Sequence, residues 1–210
     1  LHKEYRRQRQ MCIRDRISMN RRRYLLLFLL ATLSACASKN ETPIEYYYLP
    51  HSLYEPPLQE TGAIRVEVEL NSALATSSFV VGVDTGSGEN AVVLSARNLW
   101  AEDLGNAIRN NLSNKLNLLG EKTGQSFTIY GHDFPRLHVV IEKFQGNTRG
   151  PAQISGYASF FLRGKKAPQS FAFKASAPQY DAGYSALAAS LDKALDKVAK
   201  QIADTLRLNP

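Results

Sequence analysis

Apolar and polar residues alternate along several short segments of the chain, which is the pattern of half-buried β-strands. Between residues 64 and 70, Ile64, Val66, Val68 and Leu70 fall on one face, and mostly charged residues fall on the other. Further predicted strands lie at residues 78–83, at residues 91–95 and within a strand-rich block from Ser126 to Ser176. A basic turn inside that block precedes a segment that alternates Phe171 and Phe173, which favours an antiparallel hairpin.

A first helix is predicted between these strands, because leucine and isoleucine recur there at three-to-five-residue steps. It runs from about Asn98 to Leu119. Asn98 supplies the N-cap, and acidic residues follow in the first turns, where the helix dipole favours them. Gly120 ends the helix, since glycine is the residue most often found just past a helix C-terminus.

A second amphipathic helix is predicted from Tyr184 to Leu206, with Asp181 or Ser185 as its cap. No internal repeat and no second domain is visible along the chain. The elements together predict one domain of mixed α/β (α+β) class, in which two long helices pack on a mixed, mostly antiparallel sheet.

The N-terminal region has a different pattern, which is typical of a bacterial lipoprotein leader. Residues 19–35 contain three consecutive arginines and then an apolar run of about ten residues, too short to cross a bilayer of ~30 Å as a helix. The leader ends in Leu33-Ser34-Ala35-Cys36, which resembles a lipobox. We therefore predict cleavage between Ala35 and Cys36 and acylation of the Cys36 thiol. Residues 1–18 precede this complete leader and its own methionine, so we interpret them as a non-native extension.

Residues 36–62 are rich in proline and have little periodicity, which predicts a lipidated tether leading to a domain at 63–210. Asp directly after the acylated cysteine typically retains lipoproteins in the inner membrane of Gram-negative bacteria. Ala37 stands there instead, which favours the outer membrane. The tether contains Tyr46-Tyr47-Tyr48, and these rings either pack on the domain or contact a partner.

The net charge of +7 would by itself suggest a nucleic-acid partner, but its distribution excludes one. Residues 1–35 hold nine of the 26 basic residues and two of the 19 acidic ones, so the remainder has 17 of each. A neutral domain has no surplus of positive charge for phosphates. Cys12 lies upstream of the leader, so Cys36 is the only cysteine of the mature chain and no disulfide is expected.

The one motif with catalytic associations is Asp84-Thr85-Gly86, which follows an apolar strand as in aspartic proteases. Such enzymes need two carboxylates that share a proton. A single motif in a chain of this length leaves only a retroviral-type dimer, and such a dimer would be almost entirely β. Glycine, serine and asparagine after Asp84 are ordinary hairpin residues, so we interpret the segment as a turn.

No other catalytic or metal-binding pattern is visible in the sequence. His132, Asp133 and His138 are close together, but they lack the spacing of a metal-ligand set. His138 should lie on the solvent side of a strand, opposite Leu137 and Val139. We therefore expect neither an enzyme nor a cofactor or metal.

Several of these segments resemble, in order, the ABC-type transport auxiliary lipoproteins, which include the paraquat-inducible protein C group. The resemblance lies in the lipobox, in Tyr47-Tyr48-Leu49, in Gly88 and Asn90 before Leu99-Trp100-Ala101-Glu102-Asp103-Leu104, in "LHVVIEKFQG", and in the helix from Tyr184 to Ala203. It implies a three-layer fold similar to anticodon-binding domains and to the N-terminal domain of the translocation protein TolB. The family has no catalytic residues.

The resemblance also implies a lipid-transport subunit on the periplasmic face of the outer membrane, which would help to maintain the envelope. Its partners would be an MCE-domain protein that bridges the periplasm and an inner-membrane component or ABC permease, and its copies could form a homo-oligomeric ring. Tyr47, Tyr48 and Trp100 are candidate partner contacts, although for Trp100 we favour core packing over a partner contact. The alternative is another outer-membrane lipoprotein that serves as an envelope-assembly interaction module.

Overall fold

The computed structural model describes residues 42–58, 62–84, 90–121, 123–131, 135–147, 150–165 and 167–207. The part of the chain from Pro43 onward forms one packed unit. Its described residues form eight strands and two helices: β1 (Glu45–Tyr47), β2 (Ile64–Leu70), β3 (Ser78–Asp84), β4 (Asn90–Trp100), α1 (Leu104–Gly120), β5 (Phe127–Thr128), β6 (Arg136–Asn147), β7 (Ala152–Phe161), β8 (Gln169–Ala177) and α2 (Tyr184–Arg207).

The strands form one mixed sheet around β6. β6 pairs antiparallel with β7 along most of its length, parallel with β2 along its first half, and parallel with β3 at its last two residues. Antiparallel ladders also join β3 to β4 and β7 to β8, as the predicted hairpins require. The parallel pairs of β1 with β4 and of β2 with β5 are short, so most paired residues are antiparallel, as predicted.

Both helices pack on the same face of the sheet and against each other. α1 covers β2 and β5, and α2 covers β6, β7 and β8. Their apolar stripes are fully buried at Ile108, Leu112 and Leu116 in α1, and at Leu195 and Ile202 in α2. The described residues therefore form a mixed α/β domain in which two helices pack on an eight-stranded mixed sheet, as predicted.

The opposite face of the sheet is polar and partly exposed. Arg65 lies 3.0 Å from Glu67, Arg136 lies 3.3 Å from the same carboxylate, and His138 lies 3.2 Å from Glu69. These charged side chains are the polar half of the alternation in β2 and β6. His138 is thus on the face opposite Leu137 and Val139, which are buried.

The start of α1 differs from the prediction. The helix begins at Leu104, because the carboxylate of Asp103 accepts a 2.8 Å hydrogen bond from the amide of Asn106 and so forms the N-cap. Asn98 belongs to β4 and bonds to the Ser95 hydroxyl. Trp100 is therefore the last residue of a strand and does not lie in the first helical turn.

A glycine stands at the end of α1 and another immediately before α2. α1 ends at Gly120 as predicted, and a Cβ atom there would lie only 2.1 Å from the carbonyl oxygen of Gln125. The first hydrogen bond of α2 runs from the amide of Leu187 to the carbonyl of Gly183. Gly183, at a φ of 98°, therefore holds the N-cap position that we had predicted for Asp181 or Ser185.

Candidate interaction surfaces

An aromatic cluster joins β1, β3, β4, β6 and α2. The Phe79 and Trp100 rings stack with centroids 3.8 Å apart, and the Trp100 ring lies 6.0 Å from that of Phe144. Tyr47 and Tyr184 approach Phe79 edge-on at 5.6 Å and 5.2 Å. The parallel register of β1 and β4 sets Tyr47 beside Trp100, so both rings point to the same side of the sheet. Trp100 is only 4% exposed and has the surroundings of a core residue.

The hydroxyl of Tyr47 lies at the rim of this cluster. It donates a hydrogen bond to the Glu45 carboxylate and a longer one, at 3.4 Å, to Oδ1 of Asn98. The bond to Glu45 raises the pKa of Tyr47 above its ordinary value, and desolvation adds to this shift. Tyr47 therefore links β1 to β4, and its side chain is only partly accessible to a partner.

The other side of β1 is directed outward. Ile44, Tyr46 and Tyr48 alternate with Glu45 and Tyr47 and are exposed, Tyr46 to 63% and Tyr48 to 70%. Of the three residues predicted as partner contacts, Tyr48 alone therefore offers most of its ring to the surface. We call Ile44, Tyr46 and Tyr48 the β1 row.

A second exposed apolar segment lies on β4. Among the described residues, β1 pairs with β4 only from Asn98 to Trp100, so the earlier part of β4 forms an edge of the sheet. Val92, Val93 and Leu94 lie on this edge, and each is about half exposed. Neighbouring strand residues point to opposite faces, so apolar surface is exposed on both faces of the β3–β4 ribbon. We call these three residues the apolar edge.

The segment after β1 is bound to α1 by side-chain amides. Three asparagines of α1 donate from Nδ2 to backbone carbonyls of residues 50–53: Asn110 to Ser52 at 3.0 Å, Asn111 to Pro50 at 2.6 Å, and Asn114 to His51 at 3.1 Å and to Leu53 at 2.7 Å. Leu49 is also buried in the core. Residues 45–55, which we had assigned to the tether of 36–62, are thus packed on the domain.

A buried polar cluster extends from these asparagines to α2. Nζ of Lys115 lies 3.0 Å from Oδ1 of Asp192 and also forms an ion pair with Asp196. Asn111 donates to the same Asp192 oxygen at 2.7 Å, and Nδ1 of His51 lies 3.3 Å from the other oxygen. Lys115 and Asp192 are less than a tenth exposed, so the pair links α1, α2 and the segment after β1 in a poorly hydrated place.

Sequence reasoning missed this cluster. A lysine and asparagines among the leucines of α1 were the available signal, because polar residues on the apolar side of a helix need buried partners. Their partners could not be identified from spacing, since they lie on elements about 60 and 80 residues away.

The remaining predicted site residues fall largely outside the described part of the chain. These are Cys36, Ala35, His132, Asp133, Thr85 and Gly86. Asp84 is the last residue of β3, where its backbone pairs with that of Asn90. In the described ranges, no group of three or more His, Cys, Asp or Glu residues is placed to hold a metal ion. No helix in these ranges is both long and apolar enough to cross a membrane.

The fold and the surfaces define a mixed α/β domain whose notable exposed features are apolar strand surfaces. Residues 54–203 match the family model of the ABC-type transport auxiliary lipoprotein component, and the chain belongs to this family. None of the curated proteins compared with the chain matches it.

Solved structures show the same fold. A crystal structure of an uncharacterised protein is 23% identical, with a TM-score of 0.64, and the match covers 79% of this chain and 99% of that one. A Xanthomonas campestris protein assigned to the DUF330 family model is 12% identical, with a TM-score of 0.54 and the same coverage of both chains. The PelC dodecamer from Paraburkholderia phytofirmans is 11% identical over 69% of this chain and 91% of that one, and its TM-score of 0.33 carries no argument about assembly.

Proposed function

We propose that the protein is a non-catalytic subunit of an MCE/ABC-type lipid-transport system, held by lipid on Cys36 at the periplasmic face of the outer membrane. The observation that carries this proposal is the family match over residues 54–203, and it is supported by the preceding segment 19–36, whose pattern is typical of a lipoprotein leader. An auxiliary component acts through partners, here an MCE-domain protein that bridges the periplasm and an inner-membrane transport component.

The attachment of the N-terminal segment supports this role. The chain between Cys36 and Pro43 reaches at most about 25 Å when fully extended. From there, β1 pairs with β4, and the asparagines of α1 bind the backbone of residues 50–53. A domain fastened this close to its anchor stays at the membrane surface, where a partner that spans the periplasm would meet it.

The anchor is tested by replacing Cys36 with Ser in the full chain. We expect Cys36→Ser to lose acyl labelling and to accumulate as an uncleaved or soluble form, since no acylated thiol remains to hold the chain. Cys12→Ser is the matched control and should fractionate with the outer membrane like the unmodified chain. A Cys36→Ser variant that remains in the outer membrane would show that Cys36 is not the anchor.

The transport role is tested by affinity purification of the anchored chain from cross-linked cells. An MCE-domain protein should co-purify with it, and loss of the chain should increase sensitivity of the envelope to detergent. Recovery of envelope-assembly or peptidoglycan-linked proteins without an MCE protein would contradict the transport role and favour the general interaction module.

A further inference from the structure

The β1 row and the apolar edge lie on the same part of the sheet. β1 is the neighbour of β4, and Tyr46 pairs with Leu99. The apolar edge occupies the preceding part of the same strand, where no described strand covers it. Ile44, Tyr46, Tyr48, Val92, Val93 and Leu94 are all more than half exposed. So many exposed apolar side chains at one corner of a domain mark an interaction surface.

The direction of β1 relates this corner to the anchor. β1 runs parallel to β4, and Glu45 at its start pairs with Asn98. The residues before Glu45 therefore approach from the direction of the earlier part of β4, where the apolar edge lies. The lipid on Cys36 is then within about 25 Å of Pro43. An acylated Cys36 would therefore keep the start of β1, and the apolar groups beside it, within reach of the membrane surface.

We propose that the β1 row and the apolar edge contact the lipid surface of the leaflet that holds the acylated Cys36. This inference rests on the lipid anchor of the proposed function. Tyrosine is enriched at membrane interfaces, where its ring meets acyl chains and its hydroxyl stays hydrated, as Tyr46 and Tyr48 would allow.

The depth of this contact follows from the backbone. An open sheet edge cannot enter the hydrocarbon, because its unpaired amides and carbonyls would lose water without gaining a partner. Val92, Val93 and Leu94 therefore reach only the boundary between headgroups and acyl chains, which is where amphipathic surfaces bind. The corner thus sets the orientation of the domain on the membrane, and the lipid on Cys36 supplies the attachment.

The test uses the full chain, acylated in cells and reconstituted into vesicles of phosphatidylethanolamine and phosphatidylglycerol at a ratio of 3:1. In the cleaved chain the acylated Cys36 is the only native cysteine and presents no thiol, so Val93→Cys or Tyr48→Cys can be labelled alone with the fluorophore NBD. Leu118→Cys is the matched control, because Leu118 is 66% exposed but lies on α1, which packs on β2 and β5. Lipids that carry a doxyl quencher report proximity to the bilayer.

We expect doxyl lipids to quench the labels at positions 93 and 48 at least threefold more than the label at 118, with a blue-shifted emission at 93. Equal quenching at all three positions would overturn the proposal. A blue shift at 93 that is insensitive to doxyl lipids would also overturn it, and disulfide cross-links formed on oxidation of a separate, unlabelled Val93→Cys sample would then identify a second copy as the occupant. Vesicle flotation gives a separate result: a chain that does not float refutes the anchor, and this inference falls with it.

Discussion

Truncation of Trp100 to alanine would remove the central ring of the aromatic cluster. The indole is 4% exposed, stacks on Phe79 at 3.8 Å and lies 6.0 Å from Phe144. Its position at the end of β4 is also next to the first turn of α1, so the surrounding backbone is held on several sides. A buried Trp→Ala change in such a place costs about 3–5 kcal/mol, because the site cannot collapse onto the cavity.

For a domain of this size, a loss of that magnitude lowers the melting temperature by roughly 10 °C. Unfolding of the chain from Pro43 onward should be followed by far-ultraviolet circular dichroism, since the variant lacks the only tryptophan. Trp100→Phe should lose less stability, because it keeps a ring against Phe79. Tyr46→Ala, at an exposed position of β1, should change stability by no more than about 0.5 kcal/mol.

The interpretation of Trp100 as a partner anchor makes the opposite prediction. An anchor residue loses binding when it is truncated, while the fold keeps its stability. If Trp100→Ala melts like the unmodified domain but no longer self-assembles or co-purifies with the proposed MCE-domain partner, the packing argument is wrong.

Three further substitutions test the polar chemistry. Asp84→Asn keeps the turn preference and removes the carboxylate, so stability and envelope integrity should be unchanged; a pepstatin-sensitive peptidase activity that disappears with this change would support the protease alternative instead. Lys115→Met leaves the buried Asp192 without its cation and should cost about 3–5 kcal/mol in urea unfolding. Combining it with Asp192→Leu should cost less than the two single changes added together, and full additivity would show that the two side chains are not coupled.

The sequence alone determined the elements whose pattern is local. The alternation of Ile64, Val66, Val68 and Leu70 predicted β2 over the residues that form it, and the apolar stripe after Tyr184 predicted α2 almost to its last residue. In both cases one face of a single element is buried, so the period of the apolar positions follows directly from the geometry of that element.

The boundary between the end of β4 and the start of α1, near Trp100, was decided by tertiary structure. Leu99 and Leu104 fit a helical spacing, but the backbone of residues 98–100 pairs with β1, more than 50 residues earlier, and this pairing extends β4. The role of residues 45–55 was decided in the same way, because their carbonyls bond to asparagines that only the folded chain brings near.

The apolar edge could be recognised only from the sequence and the tertiary structure together. Valine and leucine at positions 92–94 predict a strand, but their pattern is the same in a buried strand and at an exposed sheet edge. Only the sheet order, in which β1 covers the end of β4 and leaves its beginning as an edge, shows that these side chains face outward. Periodicity reports which residues of one element share an environment, whereas exposure depends on which other elements pack beside it.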